Sequence, residues 1–417
     1  MLSKGDNQAI REVNRSIILD LVRRSGHISR SELARRSKLT KPTVSTIIDE
    51  FITTGVVREV GLGESLSGGG RPARLLEFDD SSAAYLGIHF GVRATLVALA
   101  DARGNIRLVR NRPSLRGAPE RAAKTVRSLV TEVLQAAKIP RARVTAAGAT
   151  VPGLVDHDSG TCVLAPNLGW KDFPLRETLQ DELHMPVIVN NITQASAFAE
   201  GRIGAAKGKH SYVWVYVGSG VGSGIVIDGQ IFHGQRGFSG EIGHCPVADE
   251  GPLCACGRRG CLETVASTMA LVKAAEAAIA RKESTILAKA NGEHGERGEI
   301  DMAAIAAAAK KNDGVAMRIL DQASEHIGRG LSYLLNILNP EMIVLGGPVI
   351  QAGEYLLREV RASVARHALL PHGVAIVPST LGDRAELAGG VLLAMESAVR
   401  SFRIVDSRRS STAAVRA

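Results

Sequence analysis

The segment EIGHCPVADEGPLCACGRRGCLET constrains this 417-residue chain more than any other: it holds Cys245, Cys254, Cys256 and Cys261 within 17 positions and leaves only Cys162 elsewhere. Cysteines this close together do not suit a disulfide framework; they point to metal-binding thiolates in a reducing compartment. His244, Cys254, Cys256 and Cys261 offer one imidazole and three thiolates, the donor set of a closed tetrahedral structural zinc site with no position for a catalytic water. Gly257 and Gly260 allow the tight backbone that brings three sulfurs onto one ion. Cys245, adjacent to His244, is an alternative ligand on residue type alone.

A chain of this length exceeds one hydrophobic core and implies two or three domains. Hydrophobic residues make up 45 % of it, yet no apolar run approaches the ~18 residues of a membrane span. The start, MLSKGDNQAIREVNRS, has no apolar signal core, so the expectation is a cytoplasmic protein without membrane association. The formal net charge of +9 is unevenly placed: residues 1–78 carry 13 Lys and Arg against 9 Asp and Glu, and residues 400–417 carry five Arg against one Asp. Basic charge on a small terminal region suits DNA, the plainer alternative being a solvated basic face. The tail 401–417 is expected to be disordered.

The first 80 residues read as a winged helix-turn-helix. IILDLVRR, from Ser16 to Arg24, has helical spacing; Ser29 and Glu32 then have capping-box spacing at the start of a second helix. In LTKPTVSTIIDEFITTG, Thr40 is an N-cap, Pro42 lies in the first turn, and Val44, Ile47, Ile48 and Phe51 form one apolar stripe ended by Gly55. The start of such a third helix enters the major groove, which makes Lys41, Thr43, Ser45 and Thr46 candidate DNA contacts, with Ser29 on the preceding helix. Val56 to Val60 and Arg71 to Phe78 read as wing strands, and Arg71 and Arg74 as groove or phosphate contacts. A generic three-helix protein-binding module is the competing reading.

From Ala84 the pattern becomes a strand meander followed by a helix from about Pro119 to Ala137, further strands at Val144–Val151 and Pro186–Asn190, and a helix near Thr193–Gly204. A second cycle starts at Tyr212 and includes a long helix near Gly314–Asn336, the strand MIVLGG and a last helix near Arg384–Phe402. Two α/β lobes around a cleft, residues 81–205 and 206–400, account for this order. Together with the Gly-His, spacer, Cys-x-Cys-Gly-x-x-Gly-Cys-x-Glu pattern, it resembles the ROK family of repressors, uncharacterised frames and sugar kinases. The resemblance covers nearly the whole chain and implies the α/β, ribonuclease H-like two-lobed fold of actin and hexokinase. The family pattern omits Cys245 from the ligand set.

The resemblance also implies that Glu241, His244 and Glu263 hydrogen-bond sugar hydroxyls, His244 ligating zinc by one nitrogen and facing the sugar with the other. Asn167 in LAPNLGW and Asn191 look like further contacts, loop capping being the alternative for Asn167. A kinase of this fold needs phosphate-cradling glycine turns in both lobes and an Asp general base. The turn Gly218–Gly224 is present, and Gly346 and Gly347 resemble the nucleotide-side turn. Where family kinases carry Asp-x-Gly-Gly-Thr, however, this chain has His89, Phe90, Gly91, Val92 and Arg93, and Ile192, or Asn191 by a one-residue shift, stands at the general base. The expectation is a non-enzymatic, sugar-responsive transcriptional regulator, a homodimer or homotetramer on double-stranded operator DNA and hence at the nucleoid. The alternatives are an active sugar kinase with an added DNA-binding domain and a ligand-independent regulator.

Overall fold

The computed structural model describes residues 4–63, 72–80, 83–290, 300–369 and 373–398; Arg71, most of the wing tip and the tail 401–417 lie outside the described residues. The N-terminal helices span Lys4–Ser25, Arg30–Ser37 and Lys41–Thr53. Thr40 caps the third, its hydroxyl accepting from Thr43 N at 3.4 Å, and the stripe Val44, Ile47, Ile48 and Phe51 packs on Ile18, Val22 and Leu33. Ser29 caps the second by accepting from Glu32 N at 3.2 Å. Glu32 does not reach back; its carboxylate bonds Arg35 and Arg36, which hold it down to about 2, so only half of the capping box forms.

The first helix begins at Lys4, well before Ser16. Ile10, Val13 and Ile17 remain exposed, so these positions give no burial periodicity in the sequence. Arg11 and Arg15 instead tie it to Glu50 on the third helix. The wing strands Val57–Leu62 and Arg74–Phe78 pair antiparallel with a bulge between Glu59 and Gly61. His27–Ser29 adds a third strand on the far edge, too short for an alternation signal.

The first lobe contains a five-stranded sheet in the spatial order Val187–Asn191, Val144–Val151, Ala84–Phe90, Ala94–Asp101, Ile106–Pro113. The first three strands in sequence form an antiparallel meander, and the last two join parallel beside its first strand. The second lobe repeats this arrangement with Tyr212–Val217, Val221–Ile227, Gln230–Ile231, Met342–Gly346 and Ala375–Pro378. Two copies of one topology facing a cleft make up the expected two-lobed fold.

The helices between the lobes correct the expected boundaries. The helix at 385–398, placed by sequence in the second lobe, packs on the first-lobe sheet: Leu387, Val391 and Met395 join Ala98 and Ala100, and Ala394 and Ala398 join Ala146. A Cβ on Gly148 would run into the Gly390 carbonyl, so this approach is backbone to backbone. The helix Ile192–Ile203, placed in the first lobe, lies against the second-lobe hairpin; Gly224 abuts Thr193 O and Ala197, and Tyr212 Oη donates to Ala197 O at 2.8 Å. A linear division cannot show that the chain returns to its first lobe at the end.

Candidate metal cluster, interlobe cleft and nucleic-acid interface

Residues Ile242–His244 make one tight turn, and the following loop is closed by bridges pairing Pro246 with Cys261 and Leu253 with Arg259. Cys254 N donates to Arg258 O at 2.7 Å and Gly257 N to Cys254 O at 2.9 Å. Gly257 and Gly260 have φ of +87° and +68°, and a Cβ on Gly260 would meet the Ala248 carbonyl, so this knuckle requires glycine. The ligand atoms of His244, Cys254, Cys256 and Cys261 then all lie within 4.8 Å of one another. His244 Nδ1 is 3.5 Å from Cys254 Sγ, and the sulfurs of Cys256 and Cys261 are 3.6 Å apart. Tetrahedral bonds of about 2.3 Å separate ligand atoms by roughly 3.8 Å, so this donor set fits a metal ion. Cys245 stays outside it, packed against the second-lobe core.

With Nδ1 on the thiol side, His244 Nε2 faces Glu241 Oε2 at 4.0 Å. Burial raises the Glu241 carboxyl above its ordinary value, His244 opposes that shift and Glu263 adds to it. Glu263 Oε2 accepts from Val221 N at 2.9 Å, which fastens the knuckle to the second-lobe glycine turn. The structure thus gathers Glu241, His244 and Glu263 at one place. Asn191 lies nearby in the hydrogen-bond network but is heavily used: its Oδ1 caps the 192–203 helix through Thr193 N at 2.6 Å and its Nδ2 donates to Gly153 O at 2.7 Å. Asn167 sits on an exposed turn of the first lobe, at residues Pro166–Leu168.

At the positions of the kinase motifs, His89 is buried, with Nδ1 3.0 Å from Thr150 Oγ1 and Nε2 3.1 Å from Glu386 Oε2. The Tyr216 ring lies over the glycine turns: a Cβ on Gly218 would meet its hydroxyl end, and one on Gly347 would be 3.0 Å from Cδ2. The Tyr216 hydroxyl bonds Ser219, and Arg93, Asp383 and Glu386 lie close enough to act on its charge. Between residues of the two lobes, His157 stacks on His233 with centroids 3.8 Å apart and Arg236 pairs with Asp156 at 3.3 Å, while His233 Nδ1 is 2.8 Å from Gln194 Oε1. Sequence reading missed Tyr216, Glu386, His157 and His233. Glu386 is distant in sequence from His89 and His157 from His233, and the sole hint was the odd His89 in a turn where an Asp is expected.

On the N-terminal module Lys41 and Thr46 are exposed and Thr43 and Ser45 half-exposed, along the start of the third helix. Arg30 fixes that helix against the second by bonding Ser45 O at 3.4 Å and Asp49 at 2.7 Å. The Ser29 hydroxyl is engaged as a cap, and Arg74 pairs with Glu59 across the wing. Among the described residues no helix is long and apolar enough to cross a membrane.

The ROK family model matches residues 85–397, and a winged helix-turn-helix DNA-binding model matches residues 14–58. The chain is 30 % identical over 393 residues to the xylose repressor of Caldicellulosiruptor bescii, covering 93 % of this chain and 97 % of the relative. It is 37 % identical over 246 residues to a glucokinase of Halalkalibacterium halodurans, covering 58 % of this chain and 74 % of that enzyme. The crystal structure of a ROK family transcriptional regulator, described as a homologue of the E. coli MLC protein, superposes with a TM-score of 0.83 at 27 % identity over 95 % of this chain and 99 % of that one. The fold and the winged module agree with these likenesses, and the chain belongs to the ROK family.

Proposed function

We propose that this chain is a DNA-binding repressor whose operator affinity responds to a sugar held between its lobes, and that it transfers no phosphate. One observation carries the reading: a winged module with an exposed recognition-helix start shares a chain with a sugar-kinase-like domain whose kinase positions hold His89, Ile192 and the overlying ring of Tyr216. His89 offers no carboxylate for a catalytic metal, and Ile192 has no atom that could take the proton of an attacked hydroxyl.

In this reading Glu241, His244 and Glu263 hold the sugar hydroxyls, Asn167 supplies a further contact from the first lobe, and Asn191 chiefly positions the start of its helix. A zinc ion on His244, Cys254, Cys256 and Cys261 supplies structure only, holding the imidazole so that Nε2 faces the sugar. Lys41, Thr43, Ser45 and Thr46 enter the major groove; Arg74 and Arg71 serve phosphates or the minor groove; Ser29 orients the second helix against the backbone. Residues 1–80 act as the DNA module. A homodimer or homotetramer presents paired modules to a symmetric operator on the nucleoid, inside the cytoplasm.

The test pairs filter binding of genomic duplexes at increasing salt with a coupled ATP assay on D-xylose and D-glucose. Affinity for selected duplexes that falls steeply with salt, and no ATP-dependent sugar phosphate, are the expected results. Failure of the intact protein to bind any genomic duplex at low salt would end the repressor reading, and sugar phosphate from the unmodified chain would restore the kinase.

A further inference from the structure

The last helix, 385–398, touches the cleft at one end and the DNA module at the other. At its start Glu386 meets His89 at 3.1 Å. Near its end Met395 Sδ lies 3.9 Å from Arg23 Nη2, on the final turn of the first DNA-module helix. The same Arg23 nitrogen donates to Ala102 O at 2.9 Å, in the turn between the second and third strands of the ROK domain. Its guanidinium also sits 5.3 Å above the Phe78 ring, at the end of the wing. Arg103, from that same turn, returns the contact by donating to Arg23 O at 3.0 Å, and it pairs with Asp80 just beyond the wing. Ala102 itself joins the core of the DNA module.

The stretch between these ends is built to move as a unit. Val391 occupies the space that a Cβ on Gly87 would need, 2.7 Å away; Gly390 abuts Gly148, and Met395 Sδ stands 2.7 Å from where a Cβ on Gly104 would be. On the other side Gly389 abuts the backbone of Ala195, in the helix that rides on the second-lobe hairpin through Thr193 and Tyr212. Two helices, one carried by each lobe, therefore cross in backbone contact. A change in the angle between the lobes must slide or tilt one against the other, because close-packed interfaces shift between discrete arrangements and do not stretch.

Arg23 is held at this junction without a direct ion pair, Asp20 and Asp101 acting on its charge from further away. Among the described residues no carboxylate pairs with it within 4 Å; a carbonyl, a sulfur and a ring face hold this half-buried cation. Hydrogen bonds to carbonyls weaken steeply with angle and distance, and an unpaired cation at a partly dry junction is costly unless its donors are satisfied.

We propose that Arg23 is the positioning residue that couples the ROK cleft to the DNA module, keeping the module's orientation in register with the Met395 end of the 385–398 helix. The proposal rests on the regulatory reading above and adds how that regulation is transmitted. Its discriminating variant is Arg23→Met, which keeps an apolar stem over Phe78 and removes every donor; Arg23→Lys keeps the charge and one donor group.

The experiment uses the full chain, a selected genomic duplex, and D-xylose and D-glucose as probes. Operator Kd is measured with and without each sugar by fluorescence anisotropy, and sugar binding by calorimetry. The unmodified chain is expected to show a change in operator Kd of about tenfold with one of the sugars, an ordinary size for allosteric coupling. In Arg23→Met that ratio should fall to about twofold or less, with sugar Kd and sugar-free operator Kd within about threefold of the unmodified values, and Arg23→Lys should fall between. A full ratio in Arg23→Met overturns the proposal, as does a variant that loses sugar-free operator binding or sugar binding, since Arg23 is then merely structural. A ratio of one in the unmodified chain with both sugars is a different result: it contradicts the regulatory reading itself and the coupling with it.

Discussion

His89 Nε2 stands 3.1 Å from Glu386 Oε2, which joins the first-lobe turn to the helix that closes the described chain. His89 Nδ1 is 3.0 Å from Thr150 Oγ1, and that hydroxyl donates onward to Ile88 O at 3.2 Å. Nδ1 must therefore carry a proton and donate, which leaves Nε2 as an acceptor in the neutral ring. A protonated Glu386 satisfies it. Burial agrees, pushing the imidazole down to about 4 and, helped by Asp383, the carboxyl up to about 7.

This neutral pair makes stability depend on pH in both directions. His89 has its folded value below the ordinary 6.5, so its contribution is complete above pH 6.5 and is lost as pH falls toward about 4. Glu386 has its folded value above the ordinary 4.5, so its contribution is complete below pH 4.5 and is lost as pH rises through about 7. Between pH 4.5 and 6.5 the two contributions oppose each other, so urea unfolding should show little net slope from this pair in the unmodified chain and a rise of stability with pH over that range in Glu386→Gln, where only His89 remains. Identical pH profiles for the two proteins would remove the pair from the account.

Close packing of the last helix predicts a severe cost at Gly148. Ala there would collide with the Gly390 carbonyl, whereas Gly314, at the first position of its helix, has open space around its Cα. Gly148→Ala is expected to lower stability by about 1–3 kcal/mol or more, and Gly314→Ala to leave it unchanged or raise it by up to about 1 kcal/mol. Thermal unfolding of the pair decides; equal melting would mean that the helix does not lie on that strand.

For the metal cluster, Cys256→Ser should release about one zinc per chain and weaken the response to sugar, with operator binding retained because the DNA module has its own core. Metal analysis and operator binding of one preparation give both readings. A Cys256→Ser protein with full zinc and full sugar response would show the ligand set to be wrong.

Phosphoryl transfer should be absent from the unmodified chain and should stay absent in Ile192→Asp. His89 would still lack a metal-binding carboxylate, and Tyr216 would still lie over Gly218 and Gly347. A coupled assay that detects turnover in Ile192→Asp alone would show the rest of the kinase site to be intact.

Local signals made much of this legible in the sequence. Thr40, Pro42 and the Val44–Phe51 stripe announced the third helix, and the glycine-spaced cysteines announced a cluster that the structure assembles without Cys245. Burial of His89 and its pairing with Glu386 were not legible, because the partners are nearly 300 residues apart and a Glu on a helix start has no distinguishing context. The full length of the first helix was hidden for a related reason: Ile10, Val13 and Ile17 stay exposed, and a helix held by Arg11, Arg15 and Glu50 leaves no periodic trace. Asn191 was read as a sugar contact from its place in a motif, whereas its amide is mostly committed to capping a helix and bonding Gly153.

The central claim is that sugar in the cleft changes the grip of the winged module on DNA. The most direct measurement is the anisotropy of a labelled, selected genomic duplex with the intact protein, titrated at fixed salt with D-xylose and separately with D-glucose. The account predicts saturable release, with operator Kd raised about tenfold by one sugar and unaffected by ATP. Operator binding that neither sugar changes, while calorimetry shows one of them bound, would contradict it.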